Sequence, residues 1–455
     1  DYKDGDGVTE EGTAADLWNG LGKIAYQSQE GHRFEASGEY YRDDGYRRLR
    51  TNMGIVTGPP NGGAFNENLY ERLTTTFKYT VEGAEGNFDP EVLLYYNQNK
   101  LHRPNNNGYT TAHGAFNSDV QSIGGHAQNR FHFGLGTVTA GVDFYHDQID
   151  VERFHFATDV SEEITNLGGF LQARLTPAER WDVSTGLRAD FQSYHAVDGQ
   201  TFDNFGLSPN LNVGLAITEG LRANAGYSYV FGGIEQAETG LFHAADYSYA
   251  NDLDPTTSHN ARVGLTYQLR GLSLSAELFY IKMLNPVAFD YATRTRINGE
   301  DLVSQGIDLS ARYEWSNAYL RAAFSHSDVD YGDRSAVSND YNNAVPVGDI
   351  ISLGAGYTFE NWNLTVGADV EIALEYSNQD LEDNGYENPL PGYEVVNVFA
   401  EWAPDFGTTD LTLRGEVNNL LDETYYSRGS FSETSAVIPV NSPGRSFMLT
   451  ATAKF

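Results

Sequence analysis

Alternation of apolar and polar residues recurs along the whole chain and limits its fold more than any other feature. In residues 272–281 (LSLSAELFYI), leucines fill even positions, while serine and glutamate occupy odd ones. The same two-residue period returns in 181–191, 410–418 and 447–455. Because successive side chains of a β-strand point to opposite faces, each segment is predicted to be a strand with one apolar face. We count about 19 such segments of roughly 9–15 residues, and helical periodicity never persists.

The connections between these segments alternate strictly between short and long. Short connections are predicted near 29–31, 83–86, 134–136, 177–180, 218–220, 270–271, 316–317, 360–361 and 404–408. Long connections are predicted at 43–66, 98–119, 147–163, 193–204, 232–258, 285–300, 327–347, 377–391 and 424–445. Membrane barrels have short periplasmic turns and long extracellular loops. The chain is therefore predicted to be all-β, a transmembrane antiparallel β-barrel of the bacterial outer membrane.

Composition agrees with a barrel and argues against other classes. Hydrophobic residues make up 40% of the chain, and no run approaches the roughly 18 apolar residues of a membrane helix. The 29 tyrosines and 25 phenylalanines suit the aromatic belts of a membrane barrel. The absence of cysteine excludes disulfides and thiolate metal sites. A net charge of −34 argues against nucleic acid as a partner and predicts solvated acidic loops, with cation binding as the alternative.

The order of the connections orients the predicted strands. The last strand ends at Phe455 after a long loop, so this end of the barrel is predicted to be periplasmic. Counting back, the first strand, about 17–27, also descends from the outside, and residues 1–16 would form the tail of an external loop. Single-chain barrels have even strand numbers and a periplasmic N-terminus. We therefore expect an odd number of strands upstream of residue 1.

Two C-terminal stretches resemble the last hairpin of TonB-dependent receptors, namely 416–430 (EVNNLLDETYYSRGS) and 442–455 (SPGRSFMLTATAKF). Residues 252–260 (DLDPTTSHN) are similar to another stretch of that family, Asn-Pro-x-Leu-x-Pro-Glu-Thr-Ser. The positions that carry the resemblance are Asp254, Pro255, Asn418, Asn419, Asp422, Gly444, Arg445 and Phe455.

The resemblance extends over residues 1–455 and implies a barrel of 22 strands, preceded by an N-terminal plug. About three strands and the plug would then be absent from this chain. It also implies a receptor that captures an iron complex, a siderophore or haem, in its extracellular loops. Import would draw energy from the TonB–ExbB–ExbD complex through the plug. Outer-membrane lipid, lipopolysaccharide and the barrel assembly machinery, which reads Phe455, are further implied partners.

The external loop 230–255 contains the candidate ligand residues. Similarity to haem receptors places His243 in the window of an axial haem ligand, with Tyr247 and Tyr249 nearby. Phe231 begins the loop's first element, which lacks the Arg and Pro of those receptors. Imidazole and phenolate are suitable iron ligands. We therefore predict an iron contact at His243 and substrate contacts at the other three. An ordinary loop histidine, or a stacking surface for a catecholate or macrocyclic chelate, is the alternative.

Other functions are weighed against this interpretation. No Gly-x-Ser-x-Gly elbow, zinc-protease motif or phosphate loop is found in the sequence, so we predict that the chain is not an enzyme. No resident cofactor is predicted, since haem or a ferric chelate would be transported ligand. Histidines at 126, 132, 146 and 155 allow a metal cluster, although scattered lumen and loop positions are favoured. A passive porin-like channel and a non-transporting truncated barrel stay open as alternatives.

Overall fold

The computed structural model describes residues 1–48, 55–56, 65–83, 87–103, 116–153, 159–235, 248–290, 292–336, 347–376, 391–404, 410–428, 437–438 and 440–454. Within these ranges the chain forms 27 strands and one 3-10 turn, Glu360–Trp362. None of the described residues belongs to a helix long and apolar enough to cross a membrane.

In chain order the strands are β1 (Tyr2–Lys3), β2 (Thr9–Glu10), β3 (Asp16–Gln27), β4 (His32–Arg48), β5 (Ile55–Val56), β6 (Phe65–Val81), β7 (Pro90–Arg103), β8 (Phe116–Phe133), β9 (Gly136–Arg153), β10 (Val160–Ala178), β11 (Trp181–His195), β12 (Thr201–Thr218), β13 (Leu221–Gly233), β14 (Ser248–Tyr249), β15 (Thr256–Leu269), β16 (Leu272–Leu284), β17 (Val287–Asp290), β18 (Thr295–Asn298), β19 (Leu302–Glu314), β20 (Ala318–Tyr331), β21 (Arg334–Ser335), β22 (Ile350–Phe359), β23 (Leu364–Ala373), β24 (Tyr393–Trp402), β25 (Asp410–Asn418), β26 (Val437–Ile438) and β27 (Ser446–Lys454).

Twenty of these strands form one barrel-shaped sheet. Nineteen of them have nine residues or more, and each long strand pairs antiparallel with the next long strand along the chain. The twentieth, β21, has only two residues and pairs antiparallel with the end of β20. The predicted antiparallel barrel of about 19 strands is therefore confirmed for the described residues.

The two-residue period of the sequence becomes the two faces of the barrel wall. Val263 and Leu278 lie directly opposite each other on β15 and β16, and their side chains are 58% and 57% exposed. Arg188 and Asp190 of β11 are instead paired with each other on the polar face. Apolar side chains face lipid and polar side chains face the lumen, as in other membrane barrels.

The predicted alternation of short and long connections is confirmed except between β11 and β12, where strands longer than predicted leave a connection of only five residues, 196–200. Four of the short connections are two-residue turns, which follow β8, β10, β12 and β15. In the last of these, both Arg270 (φ 50°) and Gly271 (φ 83°) adopt left-handed backbone. A turn with two such residues matches the twist of the flanking strands, which favours a tight hairpin. The longer connections lie at the opposite ends of the strands, on the extracellular side.

The strand order brings β27, the last long strand, beside β3, the first. Nineteen alternating strands leave these two running in the same direction, and they are neighbours in the closed sheet. Apolar side chains on these two strands are highly exposed: Ile24, Phe447 and Leu449 are 73%, 78% and 80% exposed. The odd number of strands expected upstream of residue 1 stays a prediction.

Candidate ligand-binding site at the extracellular rim

Two extracellular loops meet in a small sheet, which we call the cap (β14, β17 and β18). Strand β14 runs parallel to β18, and β18 pairs antiparallel with β17. The main-chain N–H of Ser248 donates to the carbonyl of Arg294 at 3.1 Å, and that of Ala250 donates to the carbonyl of Arg296 at 2.9 Å. These bonds attach the end of loop 230–255 to the loop between β16 and β19.

A hydrophobic core holds the cap on the ends of the wall strands. Its buried members are Phe116, Ile149, Val151, Ile164, Tyr194, Ala196, Ile234, Tyr249, Leu253 and Val287. Ile234 is 0% exposed near the start of loop 230–255, and Tyr249 and Leu253 are 3% and 7% exposed near its end. Full burial of one large apolar side chain stabilises a fold by about 1.5–3 kcal/mol. The candidate loop is therefore anchored near both of its ends.

Tyr249 belongs to a buried hydrogen-bond chain. Its hydroxyl donates to Oε1 of Glu162 at 2.8 Å and lies 2.6 Å from the hydroxyl of Tyr194. Its main-chain N–H donates to Oδ2 of Asp198 at 2.7 Å, and its carbonyl accepts from Nε2 of Gln200 at 2.7 Å. Burial raises the pKa of Tyr249, so the phenol stays protonated at neutral pH. The structure therefore places Tyr249 in the core of the rim; its predicted contact with substrate stays a prediction.

Phe231 lies where two wall strands diverge. The ladder between β12 and β13 ends at the pair Asn210–Ser228, whereas Phe231 still pairs with Thr257 of β15. Its ring packs over Gly206, where an added Cβ would lie 2.1 Å from the ring. A cavity of about 340 Å³ opens beside Phe231, between the diverging strands and the polar face of β9–β11.

The polar side of this cavity is organised around Arg188. Its Nη1 lies 2.5 Å from Oδ2 of Asp143, and its Nη2 lies 2.6 Å from Oδ1 of Asp190. Nδ2 of Asn166 also donates to Oδ1 of Asp190, at 2.9 Å. One guanidinium between two carboxylates leaves this group with a net charge of −1. The surroundings of Phe231 therefore suit a neutral or cationic group better than an anion.

Several predicted residues fall outside the described part of the chain. His243 and Tyr247, the other members of the predicted ligand set, are among them, as is Phe455 at the C-terminus. Their predicted roles as an iron ligand, a substrate contact and a signal for barrel assembly stay predictions.

Comparison with known proteins decides the family. Residues 20–420 match the family described as "TonB dependent receptor-like, beta-barrel". The chain belongs to the TonB-dependent receptors. It is accordingly an outer-membrane protein, and the resemblance inferred from its last hairpin is confirmed.

The similar proteins carry several different names. The chain is 29% identical over 462 residues to "Heme transporter BhuA" of Brucella ovis, an alignment that covers 100% of this chain and 68% of the relative. Its fold is similar to that of the FrpB iron transporter from Neisseria meningitidis, with a TM-score of 0.84, 18% identity, and coverage of 99% of this chain and 74% of that one. The structure of the copper transporter OprC gives a TM-score of 0.80 at 16% identity, covering 99% and 73% of the two chains.

The family stretch at 252–260 connects the two loops of the receptor's cap. The main-chain N–H of Asp254 donates to Oδ1 of Asn298 at 2.8 Å, and Nδ2 of Asn298 donates to the carbonyl of Asp254 at 2.9 Å. Pro255, which has no N–H to donate, directly precedes β15. These two motif residues therefore lie at the base of the cap, between the loop and the wall.

The other family motif organises the last hairpin of the receptor. Asn418 ends β25 opposite Ser446. Asn419 is 3% exposed; its Oδ1 accepts from the N–H of Glu423 and its Nδ2 donates to the carbonyl of Glu423, both at 2.8 Å. The main-chain N–H of Gly444 donates to the carbonyl of Lys3 at 2.7 Å.

Asp422 and Arg445 form an ion pair beside this contact, at 3.0 Å. The motif thus joins the last hairpin to the first residues of the chain, and residues 1–16 lie on the extracellular side, as predicted.

Some rim residues were missed by sequence reasoning. Glu162 and Tyr194 are 1% and 0% exposed beside Tyr249, and Arg296 is 9% exposed in the cap. The alternation along β10 could have indicated that Glu162 faces inward, because it lies four residues before Asn166 and therefore on the same face of the strand. The burial of Arg296 depends on the pairing of two separate loops, which no local pattern contains.

The histidines considered as a metal cluster contact different partners. Nε2 of His126 is 3.0 Å from Oε1 of Glu91, and Nε2 of His132 is 3.1 Å from Oδ2 of Asp89. Nδ1 of His146 lies 2.9 Å from the hydroxyl of Thr165. In the ranges that the structure describes, no three His, Asp or Glu side chains are grouped as metal ligands. Residue 155 lies outside those ranges.

Proposed function

We propose that this receptor imports an iron complex, with haem as the first candidate and a ferric siderophore as the second. The observation that carries the proposal is the similarity to proteins named heme transporters, at 29% identity over 100% of this chain and 68% of the relative. The anchored rim is a second argument. A cap fixed by main-chain bonds and a buried core provides a stable base for loop residues that capture a ligand.

Haem would be bound in this proposal by loop 230–255. His243 would act as the axial ligand through its imidazole, and Tyr247 would lie close to the porphyrin. Phe231 would offer a ring face at the entrance to the lumen, next to the cavity of about 340 Å³. Tyr249 would act mainly by holding the loop, because its hydroxyl is already engaged by Glu162 and Tyr194.

Energy for import would come from the TonB–ExbB–ExbD complex through an N-terminal plug encoded upstream. A passive diffusion channel is the competing function, since the same wall without a plug would leave an open lumen. Uptake of radioactive iron by cells that express the intact gene separates the two. The proposal expects uptake that stops when the proton gradient is dissipated, whereas gradient-independent uptake would establish the channel.

Haem binding is best tested by titrating the purified chain in detergent and recording the Soret band. His243→Ala is expected to shift the band and weaken binding, because the axial nitrogen is lost. His259→Ala is the matched control, since this histidine lies in the wall with its Nδ1 2.8 Å from the hydroxyl of Tyr227. An identical Soret band in His243→Ala and the parent would remove His243 as the ligand. Absence of any haem band, together with binding of a ferric siderophore, would select the second candidate.

A further inference from the structure

Arg296 is a buried cation whose side chain forms no hydrogen bond with the described residues, although its charge acts on the phenol of Tyr249. The residue is 9% exposed, and its Nε is enclosed without a hydrogen bond. Its guanidinium has no hydrogen bond or ion pair in the structure described here. Buried charged groups in proteins are normally paired, because removal from water is costly. An exception of this kind calls for an explanation, such as an anion that binds there.

Two other buried arginines show the usual arrangement. Nε of Arg103 donates to Oδ1 of Asn68 at 2.9 Å. The Nε of Arg428 has no hydrogen-bond partner either, but this arginine donates through Nη1 to the carbonyl of Pro391 at 3.0 Å and through Nη2 to a second carbonyl. Both side chains are 5–9% exposed, which is similar to Arg296. Burial alone therefore does not leave an arginine of this rim unpaired.

The position of Arg296 connects it to the candidate site. It lies on β18, directly beside Tyr249 on one side and Phe289 on the other. Paired residues on adjacent strands point to the same face of a sheet. The guanidinium therefore belongs to the face of the cap that carries the Tyr249 hydroxyl and packs against the buried core of the rim.

Glu162, the buried carboxylate of this face, does not neutralise Arg296. Its Oε1 accepts from the hydroxyl of Tyr249 at 2.8 Å and from the N–H of Val197 at 3.3 Å. No ion pair joins Glu162 to Arg296 in the described residues. These two donors are neutral groups, and neither of them belongs to Arg296.

We propose that Arg296 receives a carboxylate of the transported iron complex. The inference rests on the proposed function and names the chemical group that the site selects. A guanidinium offers two parallel N–H donors to a carboxylate, and such bonds strengthen where water is excluded. Haem carries two propionates, and a ferric chelate with a free carboxylate presents the same group. Contact at Arg296 would orient either ligand by its acidic end.

Matched ligand pairs test this assignment on the full chain in detergent. One pair is haem and its dimethyl ester, and the other is a ferric trihydroxamate with a terminal carboxylate and its amide. In the pair that binds, Arg296→Gln is expected to weaken the carboxylate form about tenfold or more and to leave the ester or amide unchanged. Arg296→Lys should give a smaller loss of affinity, because lysine keeps the positive charge but cannot donate two parallel hydrogen bonds to a carboxylate.

Arg294→Gln is the control for net charge, since Arg294 is exposed in the turn before β18. It should leave all affinities as in the parent. Retained binding of the ester or amide by Arg296→Gln reports that the cap is folded. If Arg296→Gln does not fold, two other measurements test the inference. They are the affinities of Arg296→Lys for both members of the pair and the preference of the parent for the carboxylate form.

Equal loss for both members of a pair would assign Arg296 a structural role and overturn the inference. The inference would also be overturned if Arg296→Gln bound the carboxylate form as tightly as the parent does, or if the parent did not prefer that form. Either result would leave the proposed function intact. A parent that binds none of the four ligands would refute both.

Discussion

Asp422 accepts two hydrogen bonds from Arg445, at the two ends of the last extracellular connection. The main-chain N–H of Arg445 lies 2.6 Å from Oδ1, and its Nη2 lies 3.0 Å from Oδ2. Asp422 has left-handed backbone, with φ 61°. The pair closes a compact turn beside Gly444, whose N–H bonds the carbonyl of Lys3. The Asn-Asn-Leu-Leu-Asp and Pro-Gly-Arg elements therefore hold the segment that leads into the first wall strand.

The contact between Asp422 and Arg445 is expected to weaken in acid. The main-chain N–H of Arg445, followed by its guanidinium, lowers the pKa of Asp422. A depressed pKa gives stabilisation that is fully present above the ordinary aspartate pKa of about 3.9 and is lost as the pH falls through the lower folded value. Hydrogen-exchange protection of the Gly444 amide should fall over that interval in the parent. Asp422→Asn should show weaker protection without this pH dependence, and equal profiles for the two would contradict the prediction.

Two glycines of the same region should not tolerate a methyl group. A Cβ on Gly444 would lie 2.4 Å from the carbonyl oxygen of Asp4, and one on Gly5 would lie 2.3 Å from that of Asp422. Gly444→Ala or Gly5→Ala is therefore expected to lower the free energy of unfolding by about 1–3 kcal/mol. Urea unfolding from lipid vesicles measures this change. Gly415→Ala is the control, because nothing lies within 4 Å of its added Cβ, and an equal loss there would remove the steric explanation.

The wall and the rim differ in how far the sequence predicts them. Faces of the wall follow from a local rule, so the parity of Val263 or Leu278 could be predicted from neighbouring residues alone. Tyr249 shows where the rule ends. Its burial depends on the pairing of β14 with β18, where Ser248 lies opposite Thr295. It also depends on packing against the ends of wall strands that are distant in the sequence. No window of sequence contains those contacts, so the burial of this loop tyrosine could not be predicted from the sequence, and its contact with substrate stays a prediction.

The hydroxyl of Tyr249 should contribute to the stability of the rim through Glu162. Tyr249→Phe leaves the buried carboxylate without that donor, which is expected to cost about 1–3 kcal/mol of unfolding free energy. Combining it with Glu162→Gln in a double-mutant cycle should give a coupling of about 0.5–3 kcal/mol. Tyr313→Phe is the matched control, since its ring contact with Trp315 persists without the hydroxyl. A coupling near zero would mean that the 2.8 Å contact does not stabilise the fold.

Arg188 should matter more for stability than other arginines of the lumen wall. Arg188→Met would leave Asp143 and Asp190 facing each other without the cation, and the side chain of Asp190 is 6% exposed. Removal of one partner of a fully buried ion pair costs about 3–5 kcal/mol. Because Arg188 itself is 33% exposed, we expect a smaller loss of about 1–3 kcal/mol.

Arg321→Met provides the comparison for Arg188. Among the described residues, Arg321 forms its ion pair with Asp369 and its side chain is 51% exposed, so its loss should cost no more than about 1 kcal/mol. Adding Asp143→Asn to Arg188→Met should recover part of the stability, because it removes one of the two unpaired charges. Urea unfolding of the parent and the three variants measures both differences. Equal losses in Arg188→Met and Arg321→Met, without recovery in the double variant, would show that charge repulsion beside the Phe231 cavity is not what Arg188 relieves.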